Sequence, residues 1–305
     1  MGERVPRAPA AVAIAVLLLL AGCSARKLAI HSLSRSLSEG TASFARDDDP
    51  DLVWAAVPFG LKTIESLLDE EPRDKDLLLA ATRGFTQYAF GSLQQDADLV
   101  EPSDLARATA FRERARKLYR RALGYGLRGL EVDSPGFGAA LRADAPGVLA
   151  RARKQDVPLL YWTATAWASA IGLKVDDPEL SADQDLAVAM MRRALQLDEA
   201  FGHGSIHDFF ITWEGAHASV GGSYDHAREH YERAVSLSKE LRAWPMVRFA
   251  ENVALPKQDR KAFDEALRRA LGVPSAALKD ETLSNVLAQR RARWLLARGD
   301  ELFIE

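Results

Sequence analysis

The sequence predicts an all-α fold of stacked helix pairs, and three observations carry that prediction. Apolar residues recur with a period near 3.6 along almost the whole chain, and no convincing pair of alternating strands interrupts them. A small–small–aromatic–small spacing returns several times in register. Hydrophobic residues make up 48% of the 305 and charged residues 27%, which suits a large core or one extended repeat domain and argues against disorder.

The chain opens on a different pattern. Arg4 and Arg7 precede an apolar run from Ala8 to Ala21, shorter than the roughly 20 residues that span a bilayer. A positive start, a short apolar centre and small residues at the cut make a secretory signal, so residues 1–22 are read as a leader that is removed. Its Leu20-Ala21-Gly22-Cys23 ending resembles the lipobox of bacterial lipoproteins. That resemblance implies lipidation at Cys23, anchoring to a membrane and a place outside the cytoplasm. Cys23 is the only cysteine, so no disulfide staples the mature fold and packing must hold it.

Residues 23–50 read as a lipidated tether with a short helical stretch at 28–37. At its end Asp47-Asp48-Asp49-Pro50 marks a helix start: carboxylates suit the positive end of the helix dipole, and proline suits the first turn. A calcium loop would need further oxygen ligands and a glycine at fixed spacing, which the run lacks. Residues 51–305 form a single helical-repeat domain.

Within it the clearest repeat spans 208–241. Gly215 lies in the first helix, Ala227, Tyr231 and Ala234 in the second, and Gly221-Gly222 turn the chain between them. Small residues let two helices approach, and the aromatic ring fills the groove they leave. This is the spacing of tetratricopeptide repeats, without their closing proline, since Lys239 stands there. Ala115, Tyr119 and Ala122 repeat the second-helix pattern, as do Ala187, Met191 and Ala194, while Ile64, Leu67 and Pro72 give a weaker first copy. First helices are expected at 77–90 and 159–171, insertions at 94–104 and 174–184, and closing helices at 259–271 and 280–297. The expected architecture is therefore a tetratricopeptide-like superhelix of about four degenerate helix pairs, with C-terminal closing helices and an extended concave face.

Several stretches together resemble one family. They are Cys-Ser-Ala-Arg-Lys-Leu-Ala from Cys23, LLLAATRGFTQYAF at 77–90, His207-Asp208-Phe209-Phe210, AENVALPKQD at 250–259 and AQRRARWLLAR at 288–298. The combination is similar to the tetratricopeptide lipoproteins associated with TRAP transporters, the TatT-type family. The resemblance implies a periplasm-facing lipoprotein and a homotrimer. It also implies a TRAP-type solute-binding protein as partner, and a small organic or hydrophobic ligand held in a cavity or pore. Ser24 after the cysteine favours the outer membrane, by analogy with enteric lipoproteins.

Candidate contact residues follow from the aromatic pattern. Phe85, Tyr88, Tyr161, Trp162, Trp167, Phe209, Phe210 and Trp213 all fall in first helices, which line the concave face of such superhelices. Any one ring is first of all core material; as a set they bring one or two rings to the concave surface, with Gln87 and Asp208 as polar neighbours. Arg290, Arg291 and Arg293 read by default as a solvated helix face, with internal pairing or an anionic docking surface as alternatives. His203 and His207 lie four apart, as do His226 and His230, with His217 between. Such spacing begins many zinc sites, but there is no His-Glu-x-x-His run, and Gly202 and Gly204 break the first pair's helix. Exposed or capping roles are expected, with no metal, and ligand or partner contact falls chiefly to His207.

The formal net charge of −3 makes a poor nucleic-acid binder, because phosphate contacts need a basic surface. Ser205 and Ser219 lack a nucleophile elbow, and Gly202-His203-Gly204 is no phosphate loop. No enzyme activity and no cofactor are expected. The leading expectation is an accessory lipoprotein of a TRAP-type solute transport system. The alternative is a general scaffold lipoprotein for outer-membrane or secretion-complex assembly.

Overall fold

The computed structural model describes residues 43–174 and 178–304. The signal, Cys23 and most of the tether lie outside the described residues. Among the described residues there is no strand, and no helix is long and apolar enough to cross a membrane.

Helix α1 (Pro50–Glu70) begins where the acidic run predicts. The Asp49 carboxylate accepts from the backbone N–H groups of Asp51 and Leu52, and Pro50 occupies the first turn. Its core face is Val53, Val57, Leu61, Ile64 and Leu68, spaced three or four apart as a helix stripe requires. Helix α2 (Lys75–Tyr88), capped by Asp74, runs through a π-helical turn (Ala89–Gln94) into α3 (Gln95–Val100). The segment expected as an insertion at 94–104 is thus largely helical. Helix α4 (Leu105–Asp133), capped by Asp104, packs on α2 and buries Ala115, Tyr119 and Ala122.

Two short helices, α5 (Phe137–Ala143) and α6 (Ala145–Ala150), lead to α7 (Val157–Gly172). Helix α7 is apolar on nearly every side because both α4 and α8 (Gln184–Leu197) pack against it. Ala187, Met191 and Ala194 of α8 are buried, as the repeat spacing requires. Helices α9 (Ser205–Ala216) and α10 (Tyr224–Leu237) form the next pair, with Ala227, Tyr231 and Ala234 buried on α10.

Helix α11 (Trp244–Phe249) continues into a second π-helical turn (Ala250–Ala254), marked by the Leu255 N–H donating to the Ala250 carbonyl five residues back. A side chain at Gly215 of α9 would collide with the Asn252 carbonyl on that turn, so the small residue is a packing requirement. The chain closes with α12 (Arg260–Gly272) and α13 (Thr282–Ala297).

The two ends of the array meet, since α13 packs on α11 and α12 and also touches α1. Buried Asn285 pins α13 in place: its side chain accepts from the Ala243 N–H and donates to the carbonyls of Leu241 and Ser275. Gln289 adds a 2.6 Å bond to the Val273 carbonyl. The result is an all-α helical-repeat fold whose last helix returns to its first.

Candidate functional site

The return of α13 creates a seam between the N-terminal and C-terminal halves, and both π-helical turns lie on it. Such turns project side chains out of the normal helical register and often mark functional sites. From the first turn, Phe90 meets Trp244 of α11 with ring centroids 5.2 Å apart. The Arg248 guanidinium lies over both rings, 5.2 Å from Phe90 and 4.9 Å from Trp244. Close approach here depends on Gly91, where a side chain would strike the Trp54 indole.

Charges alternate along the same seam. Arg112 of α4 binds Asp98 and Glu101 at 2.8 Å each, and Asp98 also meets Arg291 of α13 at 3.0 Å. Arg291 binds Glu251 of the second π-helical turn at 2.7 Å, and Glu251 lies 3.9 Å from Arg248. Further along, Arg242 donates to Asp208 at 2.5 Å and lies 3.3 Å from Glu281.

Arg242 is only 4% exposed. Burial works against its charge, but Asp208 and Glu281 more than offset that and hold the guanidinium protonated. Burial pushes the Asp208 carboxyl up, against the pull of Arg242. Because arginine does not give up its proton, the pair stands as an ion pair. Asp208 Oδ1 and Arg242 Nη1 are buried with no hydrogen-bond partner among the described residues, while Arg242 Nε faces only the Glu281 carboxylate. Burial, and then the Asp208 charge, push the nearby Tyr161 phenol up, so it stays a neutral donor.

The sequence-predicted residues distribute unevenly around this seam. Arg291 is internal, sandwiched in the charge ladder and 4.4 Å above the Trp294 ring, whereas Arg290 stays half exposed, 3.8 Å from Asp96. The solvated-face reading therefore holds for neither the position nor the role of Arg291. Tyr161 packs edge-on to Trp162 at 4.9 Å and tilts against Phe201 at 5.2 Å. Phe209 and Trp213 stack 6.3 Å apart, both half buried. Phe85, Tyr88, Trp167 and Phe210 are core, with Phe85 stacked on Tyr125 and Tyr88 edge-on to Trp54. Gln87 points to solvent. Cys23 lies outside the described residues.

The histidines pair differently from their spacing. His207 is buried, and its Nδ1 lies 2.7 Å from Nδ1 of His230 on α10, so the two rings share one hydrogen bond between helices. His207 Nε2 faces Glu199 at 3.3 Å, and Glu199 holds Arg233 through two bonds of 2.6 and 2.7 Å. Burial depresses both imidazoles, His230 to about 4. Among the described residues no three His, Cys, Asp or Glu side chains are grouped to hold a metal. A cleft of about 560 Å³, lined by Tyr231, Val235, Lys239 and Arg269, lies elsewhere and includes none of the predicted contact residues.

Sequence reasoning missed Phe90, Trp244, Arg248, Glu251, Arg242 and Glu281. No local signal marks them, because their partners lie on other helices, from 34 residues away for Arg242 and Asp208 to more than 150 for Phe90 and Trp244. The stretches AENVALPKQD and AQRRARWLLAR, singled out for the family resemblance, do supply Glu251 and Arg291.

Two comparisons bear on identity. The family model described as "TRAP transporter T-component" matches residues 46–303. A protein of Treponema pallidum (strain Nichols) is 31% identical over 312 residues, covering 96% of this chain and 97% of that protein.

Proposed function

Since this chain belongs to the TRAP transporter T-component family, we propose that its accessory role in a TRAP system is to dock the solute-binding protein and to hold or guide its small ligand at the seam. The protein is read as a lipoprotein anchored through Cys23, facing the periplasm, with the outer membrane favoured, and working as a homotrimer. It acts by positioning, not by catalysis, and needs no cofactor.

The observation that carries the ligand reading is the lining of the seam. Phe90, Trp244 and Tyr161 offer apolar faces. Asp208 Oδ1 and Arg242 Nη1 offer one acceptor and one donor without a hydrogen-bond partner among the described residues. Buried polar atoms without partners cost stability unless something meets them. A small organic molecule with an apolar body and a polar end matches that set. The ladder combines carboxylates and guanidiniums in nearly equal number, so it does not favour a multiply charged anion.

Lipid anchoring raises the local concentration of this protein at the membrane, where the partner would meet it. Co-purification of the lipidated protein from its native membrane in mild detergent, read by mass spectrometry, tests the reading. A TRAP-type solute-binding protein as main partner supports it. Outer-membrane assembly or secretion components in its place would overturn it and favour a scaffold.

A further inference from the structure

Helix α4 carries a charge that the rest of the chain does not share. Its 29 residues hold eight bases against Glu113, Glu131 and Asp133. That is a net +5 in a chain whose formal net charge is −3, which leaves −8 for everything else. Two of the bases are half buried and held, Arg112 by Asp98 and Glu101, Arg116 by Glu113. The other six are exposed. Arg107, Arg114, Arg121 and Arg128 stand seven apart, so they recur every two turns on one face, drifting by about 20° per step. Lys117 fills an interval on that face and Arg120 flanks it. The row runs about 31 Å along the helix.

Its middle is not neutralised from within. The side chains of Arg114, Lys117 and Arg120 make no ion pair or hydrogen bond among the described residues. Arg121 shares Glu65 of α1 with Lys62, and Arg128 donates to the Pro72 carbonyl. Glu113, the acid on the row, is taken by Arg116. Acids border the two ends, with Asp104 as the helix cap and Glu71 next to Pro72.

The make-up of the row says what it meets. Ala110 and Gly124 are its uncharged residues, so it lacks the rings and aliphatic anchors that hold the centre of a protein–protein interface. Unpaired guanidiniums suit phosphate oxygens, which they grip as a fork. A fluid anionic bilayer can bring a headgroup to each of them, whereas a protein face must present fixed acids at the same spacing. Charge asymmetry gives the direction, because an anionic surface repels the acidic remainder and attracts α4. The lipoprotein reading puts such a surface within reach, since Cys23 precedes α1 in the chain.

We infer that the outer face of α4, from Arg107 to Arg128 with Lys117 and Arg120 at its centre, lies on anionic phospholipid headgroups of the membrane that anchors the protein. The inference rests on the lipoprotein reading above and adds the orientation in which the anchored protein stands.

The test uses the full chain, purified from its native membrane and placed in vesicles of phosphatidylcholine with or without about 30% phosphatidylglycerol. Ala110→Cys sets the one free thiol on the row, because Cys23 is the only native cysteine and carries the lipid. A donor dye on that thiol reports energy transfer to an acceptor on the lipid headgroups. Transfer is expected to be at least about twofold higher on the anionic vesicles, and to decline as salt rises. Joint Arg114→Gln, Lys117→Gln and Arg120→Gln substitution should abolish the difference, while Lys261→Gln, at an exposed base on α12, should keep it. Equal transfer on both kinds of vesicle, from a chain that floats with both, overturns the inference and leaves the lipoprotein reading intact. A difference that the triple variant retains overturns it as well. Equal transfer with a change of molar mass in the triple variant assigns the row to a second copy. Equal transfer with loss of the solute-binding protein assigns it to an acidic partner. A chain that floats with neither vesicle overturns the lipoprotein reading, and the inference with it.

Discussion

Replacing Arg291 with leucine tests whether the seam is a structural joint. Arg291 is 13% exposed and carries the shortest ion pairs across the seam, binding Asp98 at 3.0 Å and Glu251 at 2.7 Å. Breaking a buried pair by removing one partner costs about 3–5 kcal/mol. Two features reduce that here. Asp98 keeps Arg112 at 2.8 Å, and both carboxylates remain partly exposed. Glu251 keeps only Arg248, at 3.9 Å. Arg291→Leu is therefore expected to destabilise by about 2–3 kcal/mol, a fall of roughly 5–10 °C in Tm for a domain of this size. A double-mutant cycle with Glu251→Gln should give a coupling of about 1–2 kcal/mol. Amide exchange should accelerate along α13 well before it does along α7. Additive single mutants, or a loss under about 0.5 kcal/mol, would show that the ladder is a surface ornament and that the halves are held by apolar packing alone.

Three further outcomes follow from the same geometry. Asn285→Ala strands one buried backbone N–H and two carbonyls and should cost about 3 kcal/mol in chemical denaturation, with asparagine-to-aspartate no better. Asp49→Ala removes the cap of α1 and should cost about 1 kcal/mol, read as faster exchange in its first turn. The His207–His230 pair sets a pH window. Both imidazoles are depressed below their ordinary value of 6.5, so between pH 6.5 and about 4 the unfolded chain binds more protons than the folded one. Their contribution is present in full above 6.5 and is lost as pH falls through that window, on the order of 1–2 kcal/mol after allowing for partial exposure of His230. His230→Gln should flatten the Tm profile there; an unchanged slope would remove the pair from the account.

Local chemistry was legible in the sequence wherever neighbours along the chain decide the outcome. The Asp49-Pro50 start of α1, the second-helix triplets Ala115–Tyr119–Ala122 and Ala227–Tyr231–Ala234, and the closing helices are matters of spacing and capping. Helical period and small-residue placement are written one turn at a time, so a linear reading recovers them. The packing role of Gly215 was legible too, although its contact, the Asn252 carbonyl, was not.

The site was not legible, for a physical reason. The histidines were expected in exposed or capping roles, with His207 open to ligand or partner contact, yet His207 is buried and bonded to His230 on the facing helix. Arg291 was placed by default on a solvated face with internal pairing as an alternative, and it is the alternative that holds, between Asp98 and Glu251. The first depends on the facing of two neighbouring helices, α9 and α10, and the second on how far the stack turns before α13 returns to α1, an angle that is the sum of many small packing choices. The sequence by itself determined an all-α repeat chain and where its helices begin. Only the tertiary structure decided that the ends meet, because closure brings together charges and rings that no local pattern relates.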